Sequence, residues 1–156
     1  MMIRTTGNTK PLALVLLLCG ALSACGDPPS SLEESIRAWV AQGQQYAEEK
    51  DRNGLVDMIS PAYADARGNE RNDIENMFRL YFLRQHNIEL LTNIESIEVF
   101  GETAAKLDLT VGMAGTNDGV LGFSANAYNF EMELVREGDD WLLISARWGE
   151  VGGERH

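Results

Sequence analysis

Thiols are scarce in this chain, and both of them, Cys19 and Cys25, fall in or directly behind an apolar leader. A domain built from the residues that follow has no cysteine, which excludes disulfides, thiol catalysis, cysteine-ligated zinc and iron–sulfur clusters. Histidine is almost as rare: His86 and the terminal His156 are the whole supply, so no histidine pair can bind a metal. Carboxylate loops of calcium-binding spacing, glycine-rich phosphate loops and Gly-x-Ser-x-Gly elbows are missing too, and no cofactor is expected. Basic residues are few, with 13 Lys and Arg against 24 Asp and Glu and a net charge of −11. Such a surface repels nucleic acid and anionic lipid, so nucleic acid is not an expected partner. The commonest use of an acidic balance is solubility. The apolar run at 12–22 (LALVLLLCGAL) is about half the roughly 20 residues a membrane-crossing helix needs.

That run follows Arg4 and Lys10 and precedes Ser23 and Ala24, the basic, apolar and small-residue order of an export signal. Its end, Leu22-Ser23-Ala24-Cys25-Gly26, resembles the lipobox of bacterial lipoproteins. The resemblance implies cleavage after residue 24, lipid on Cys25 and residence at a membrane of the cell envelope. Each buried acyl methylene contributes about 0.8 kcal/mol, so several chains make a lasting anchor. Gly26, in place of an aspartate behind the lipidated cysteine, fits transfer to the outer membrane under enteric-type sorting. Residues 25–31 form a tether rich in turn residues, spanning roughly 20 Å at most. One domain is expected at 32–150, with a fraying tail at 151–156.

Within the domain, Ser31-Leu32-Glu33-Glu34 opens a helix whose apolar face, Leu32, Ile36, Trp39, Val40, Gly43 and Ala47, continues to about residue 50. Asp51-Arg52-Asn53-Gly54 reads as a turn, and residues 55–59 as a short helix stopped by Ser60-Pro61. Asn72 caps a third helix with a stripe of Ile74, Met77, Phe78, Tyr81, Phe82 and Gln85. Beyond His86 the period falls to two. Leu107, Leu109, Val111 and Met113 alternate with polar residues, as do Tyr128, Phe130, Met132 and Leu134, the mark of half-buried strands. Residues 89–100 supply an earlier strand broken near Thr92 and Asn93, residues 141–148 the last, with hairpin loops at 115–119 and 137–140. Helices followed by an antiparallel meander make an α+β domain.

This order, with the ending Gly138-Asp139-Asp140-Trp141-Leu142-Leu143-Ile144-Ser145-Ala146-Arg147-Trp148, resembles the nuclear transport factor 2-like superfamily, which includes ketosteroid isomerases and SnoaL-like cyclases. The segment from Gly54 to Tyr63 resembles that superfamily's second helix. The resemblance implies three N-terminal helices on a curved antiparallel sheet, a cone with an apolar interior, and pairing of two copies through the open sheet. Enzymes of this fold place an acid or base beside a tyrosine in that cavity. Counterparts in this chain are Asp65 or His86 as base, Tyr63 as hydrogen-bond donor, and Tyr81, Asp108, Tyr128 and Arg147 as further pocket residues. Each also has an ordinary reading: Asp65 as a loop carboxylate, His86 as a helix-terminal charge, Asp108 and Arg147 as solvent-facing charges, and the aromatics as core. With no recognisable catalytic set, the expectation is an anchored module binding an envelope protein or a small apolar ligand. The alternative is an isomerase, dehydratase or cyclase.

Overall fold

The computed structural model describes residues 32–116 and 123–153. The expected leader, lipidated Cys25 and tether lie outside the described residues, as do the centre of the 115–119 loop and the last three residues of the tail. The element order is α1 (Leu32–Glu48), α2 (Arg52–Asp57), α3 (Arg71–Arg84), β1 (Asn87–Phe100), β2 (Ala104–Thr116), β3 (Phe123–Glu137) and β4 (Asp140–Glu150).

Local chemistry sets the helix ends. Asp51 accepts a hydrogen bond from Gly54 N–H at 3.0 Å, so the residues expected as a turn are the first turn of α2. Asn72 is not the cap of α3. Glu70, two residues earlier, forms a reciprocal capping box with Asp73, and the helix ends at Arg84, leaving Gln85 extended. α1 buries Ile36 and Val40 against the sheet, and Trp141 Nε1–H, from the far end of the chain, donates to Ser35 Oγ at 2.8 Å.

The sheet is an antiparallel meander in the order β1-β2-β3-β4. β1 pairs with β2 through Thr92 and Asn93 without a break, and its irregularity falls between Ile94 and Ser96 instead. β4 carries the second bulge. Glu133 faces Ser145 and Leu134 faces Leu143, which leaves Ile144 without a partner on β3. Bulges of this kind curve a sheet. The freed edge is covered by the segment behind α2: Leu143 N–H donates to Met58, while Ser60 and Ala64 N–H donate to Leu143 and Ile144. That pairing satisfies backbone groups that an open edge would expose. β4 runs two residues past the expected end of the last strand at 148, with Gly149 and Glu150 pairing with Asn129 and Tyr128.

Alternation divides the sheet into two faces. Ala105, Leu107, Leu109 and Val111 of β2, Leu134 of β3, and Trp141, Leu143 and Ala146 of β4 are buried with Ile36, Val40, Ile59, Tyr63 and Ile74 in one core. The other face carries Lys106, Asp108, Thr110, Glu131, Glu133 and Arg147 at the intervening positions.

Candidate functional site

Tyr63 and Asp65 meet where the segment after α2 crosses β4. The Tyr63 ring is 3% exposed, and its hydroxyl donates to Asp65 Oδ2 at 3.3 Å. The same carboxylate accepts from Asn69 Nδ2 at 2.8 Å, Asn69 N–H at 2.9 Å and Arg67 N–H at 2.9 Å. Burial works against its charge. The side chain and backbone of Asn69, with Arg67 N–H and the Tyr63 hydroxyl, nonetheless hold it below the ordinary carboxylate value. Tyr63 moves the other way, pushed up by burial first and then by the adjacent Asp65 charge. Asp65 thus closes the 65–69 turn, with Gly68 at φ +82° completing it. A carboxylate so fully engaged is a weak base, and a phenol pushed upward is a reluctant acid at neutral pH.

From this turn a band of aromatic side chains runs across the inner face toward α3. The Arg67 guanidinium lies 4.8 Å from the Trp148 ring centre, a cation–π contact. Trp148 pairs across strands with Phe130, whose ring is 6.5 Å from Tyr128. Tyr128 is close enough to Tyr81 to raise its ionisation alongside burial, the larger cause. The Tyr81 hydroxyl rests on Met113 Sδ at 3.8 Å, and Phe82 and Phe78 continue the band at ring separations of 6.4 and 6.2 Å. A thioether is a weak acceptor. The Tyr81 hydroxyl therefore retains capacity for a better partner.

The remaining candidates lie elsewhere. Asp108 and Arg147 occupy the face of β2 and β4 that turns away from the helices, so they do not join a pocket with Tyr63, Tyr81 and Tyr128. Asp108 accepts from Ser96 Oγ at 2.9 Å, and Arg147 pairs with Glu131, which Lys106 also contacts at 3.2 Å. Their hydrogen bonds, Arg147's foremost, hold the Glu131 carboxyl below its usual range although burial opposes them. His86 is exposed beyond α3, where its backbone N–H donates to Thr116, and it is not brought beside Tyr63 or Asp65. A recess of about 410 Å³ borders Tyr63, Ala64, Glu70 and Arg71. Another, of about 420 Å³, opens between α1, α2 and the β3–β4 turn beside Trp39, Tyr46, Met58 and Trp141. Among the described residues no cluster of three metal-ligating side chains occurs, and no helix is long and apolar enough to cross a membrane.

No protein family matches the sequence, and no curated protein does. Solved structures do match. A protein of Novosphingobium aromaticivorans provisionally named scytalone dehydratase superposes with a TM-score of 0.69 and 10% identity, over 76% of this chain and 83% of that one. A provisionally named dehydratase of the nuclear transport factor 2-like family, from Streptomyces avermitilis, gives 0.64 and 13% over 76% and 95%. A ketosteroid isomerase-like protein of Erwinia carotovora atroseptica gives 0.61 and 10% over 74% and 93%.

The fold is the nuclear transport factor 2-like cone.

At such identities the match carries the fold and nothing finer. The aromatic band lies on the inner sheet face and on the side of α3 turned toward it. Sequence reasoning named Tyr81 and Tyr128 but did not place Arg67, Met113, Phe130 or Trp148 with them. Arg67 and Trp148 are 81 positions apart, so no local pattern joins them. The one available signal was parity, which puts Met113, Tyr128 and Phe130 on the core-facing register; Trp148 joins them only through the bulge at Ile144, which reverses the alternation set by Trp141 and Leu143.

Proposed function

We propose that this cone serves as a non-catalytic binding module, held at a cell-envelope membrane by lipid on Cys25, that takes up a small apolar ligand or a protein partner. The observation that carries the binding part is the band from Trp148 to Phe78, apolar and half-buried, with the Tyr81 hydroxyl held among the described residues only by a thioether. Apolar walls with one or two polar handles are the usual make-up of a small-molecule site. The anchor stands on the Leu22-Ser23-Ala24-Cys25 motif.

Two measurements test this reading. Intact mass and membrane fractionation of the full-length chain beside Cys25→Ala should give an acylated, membrane-resident product that the substitution releases. An unacylated soluble product would sink the anchor. Native mass spectrometry of the membrane-extracted protein should find an apolar molecule whose occupancy falls in Tyr128→Ala. Equal occupancy in that variant would remove the aromatic band as its site.

A second reading, a cone enzyme of isomerase, dehydratase or cyclase type, is favoured by one observation: Tyr63 and Asp65 are in contact at 3.3 Å. In it Asp65 or His86 serves as base and Tyr63 as donor. Turnover unchanged in both Asp65→Asn and His86→Gln would discard that assignment.

A further inference from the structure

α3 presents apolar residues on two sides. Ile74, Phe78, Tyr81 and Phe82 turn toward the sheet, Met77 lies on the flank at 40% exposure, and Leu80 and Leu83 on the opposite side are 49 and 77% exposed. At 100° per residue Leu80 and Leu83 share the outer half of the helix with Asn76, Arg79 and Arg84, and with Asp73 in the first turn, whose carboxylate is engaged by Glu70 N–H. From Asn76 to Arg84 there is no acidic residue, in a chain whose net charge is −11. Arg79 and Arg84 are both exposed, and neither forms an ion pair among the described residues. Leucines flanked by unpaired arginines are the composition of a helix that lies in a membrane interface.

We infer that the outer face of α3 docks on an anionic lipid surface, with Leu80 and Leu83 entering the headgroup boundary and Arg79 and Arg84 meeting lipid phosphates. Charge decides between this occupant and a second copy of the chain. Two α3 faces brought together would set arginine against arginine, whereas an anionic bilayer suits leucines and arginines alike. The acidic remainder of the molecule is repelled by the same surface, so the protein sits with α3 down and the charged sheet face away. The inference stands on the helix itself and goes beyond the anchor, which fixes proximity to a membrane but no orientation.

The test uses the full-length chain with Leu83→Trp, mixed with vesicles of phosphatidylglycerol or of phosphatidylcholine carrying brominated acyl chains. The emission added by Leu83→Trp should shift to the blue and be quenched on phosphatidylglycerol. Leu91→Trp, on the outer sheet face and itself 77% exposed in the parent residue, should remain unquenched. Adding Arg79→Gln and Arg84→Gln should weaken the face's affinity for the anionic surface about thirtyfold, read as loss of that quenching. Circular dichroism of the variants should be unchanged. Vesicle-bound protein without quenching at position 83 overturns the proposal, as does equal quenching at position 91. A blue shift that follows protein concentration without vesicles overturns it in favour of self-association. Acylation is scored by mass in the same samples, so quenching without acylation supports the face while rejecting the anchor, and acylation without quenching does the reverse.

Discussion

Asp65 illustrates how one carboxylate can look catalytic by its neighbour and structural by its hydrogen bonds. It accepts from Tyr63, Arg67 and twice from Asn69, and its pKa lies below the ordinary value in the folded state. A depressed folded pKa contributes stability that is fully present above the unfolded value and is lost as pH falls through the folded one. Asp65→Asn should therefore destabilise the domain at neutral pH by about 1–3 kcal/mol, because its amide sets donors against donors. The variant should also have a flatter acid limb than the parent below the ordinary carboxylate range, read by urea denaturation at stepped pH. Tyr63 supplies a second check. Burial and the Asp65 charge raise its pKa, so ultraviolet titration of the native protein should show this tyrosine ionising after an ordinary one. In Tyr63→Phe the late part of the titration should shrink while the early part is unchanged. If the early part were lost instead, Tyr63 would be accessible and unperturbed, and the Tyr63–Asp65 contact would be wrong.

Among the elements, α2 departs furthest from its sequence pattern. Asp51-Arg52-Asn53-Gly54 has the composition of a turn, yet the Asp51 carboxylate seizes Gly54 N–H and starts a helix there. A Cβ at Gly54 would stand 2.8 Å from the Tyr46 ring and 2.9 Å from Asp51 Oδ2. Alanine is the better helix former, but the clash should win. Gly54→Ala is expected to lower stability by about 1–3 kcal/mol, and Asp51→Ala by about 1 kcal/mol through the lost cap. Thermal melts of the two variants check both; a stabilised Gly54→Ala would mean that Tyr46 moves aside freely. The same contrast explains what was legible. The period-two alternation of β2 and β3 and the turn residues between strands are local signals, and they yielded the meander and the core-facing register. Caps were misread because Glu70 is a less common capping residue than Asn72, and only its reciprocal bond with Asp73 reveals it. Asp108 faces outward by simple alternation with Leu107 and Leu109, but the facing of Arg147 depends on the β4 bulge at Ile144, which shifts the register in a way no residue type announces. Arg67 on Trp148 exists only once the chain has closed on itself.

For the whole molecule the deciding quantity is charge. Its ion pairs are mostly exposed, as in Arg37–Glu33 with side chains 51 and 49% accessible, and such pairs contribute little to stability. The carboxylates in excess of basic groups repel one another across the surface, and folding concentrates them. Added salt weakens both effects. Its screening length falls from about 30 Å at 0.01 M to about 8 Å at 0.15 M, which removes repulsion between distant charges before it removes attraction within a contact pair. Raising sodium chloride over that range should therefore raise the melting temperature of the folded domain. A fall would mean that the Arg147–Glu131–Lys106 cluster and the other pairs outweigh the net charge. The outer sheet face would then be a stabilising network, and charge reversal at Arg147 should reproduce most of the loss.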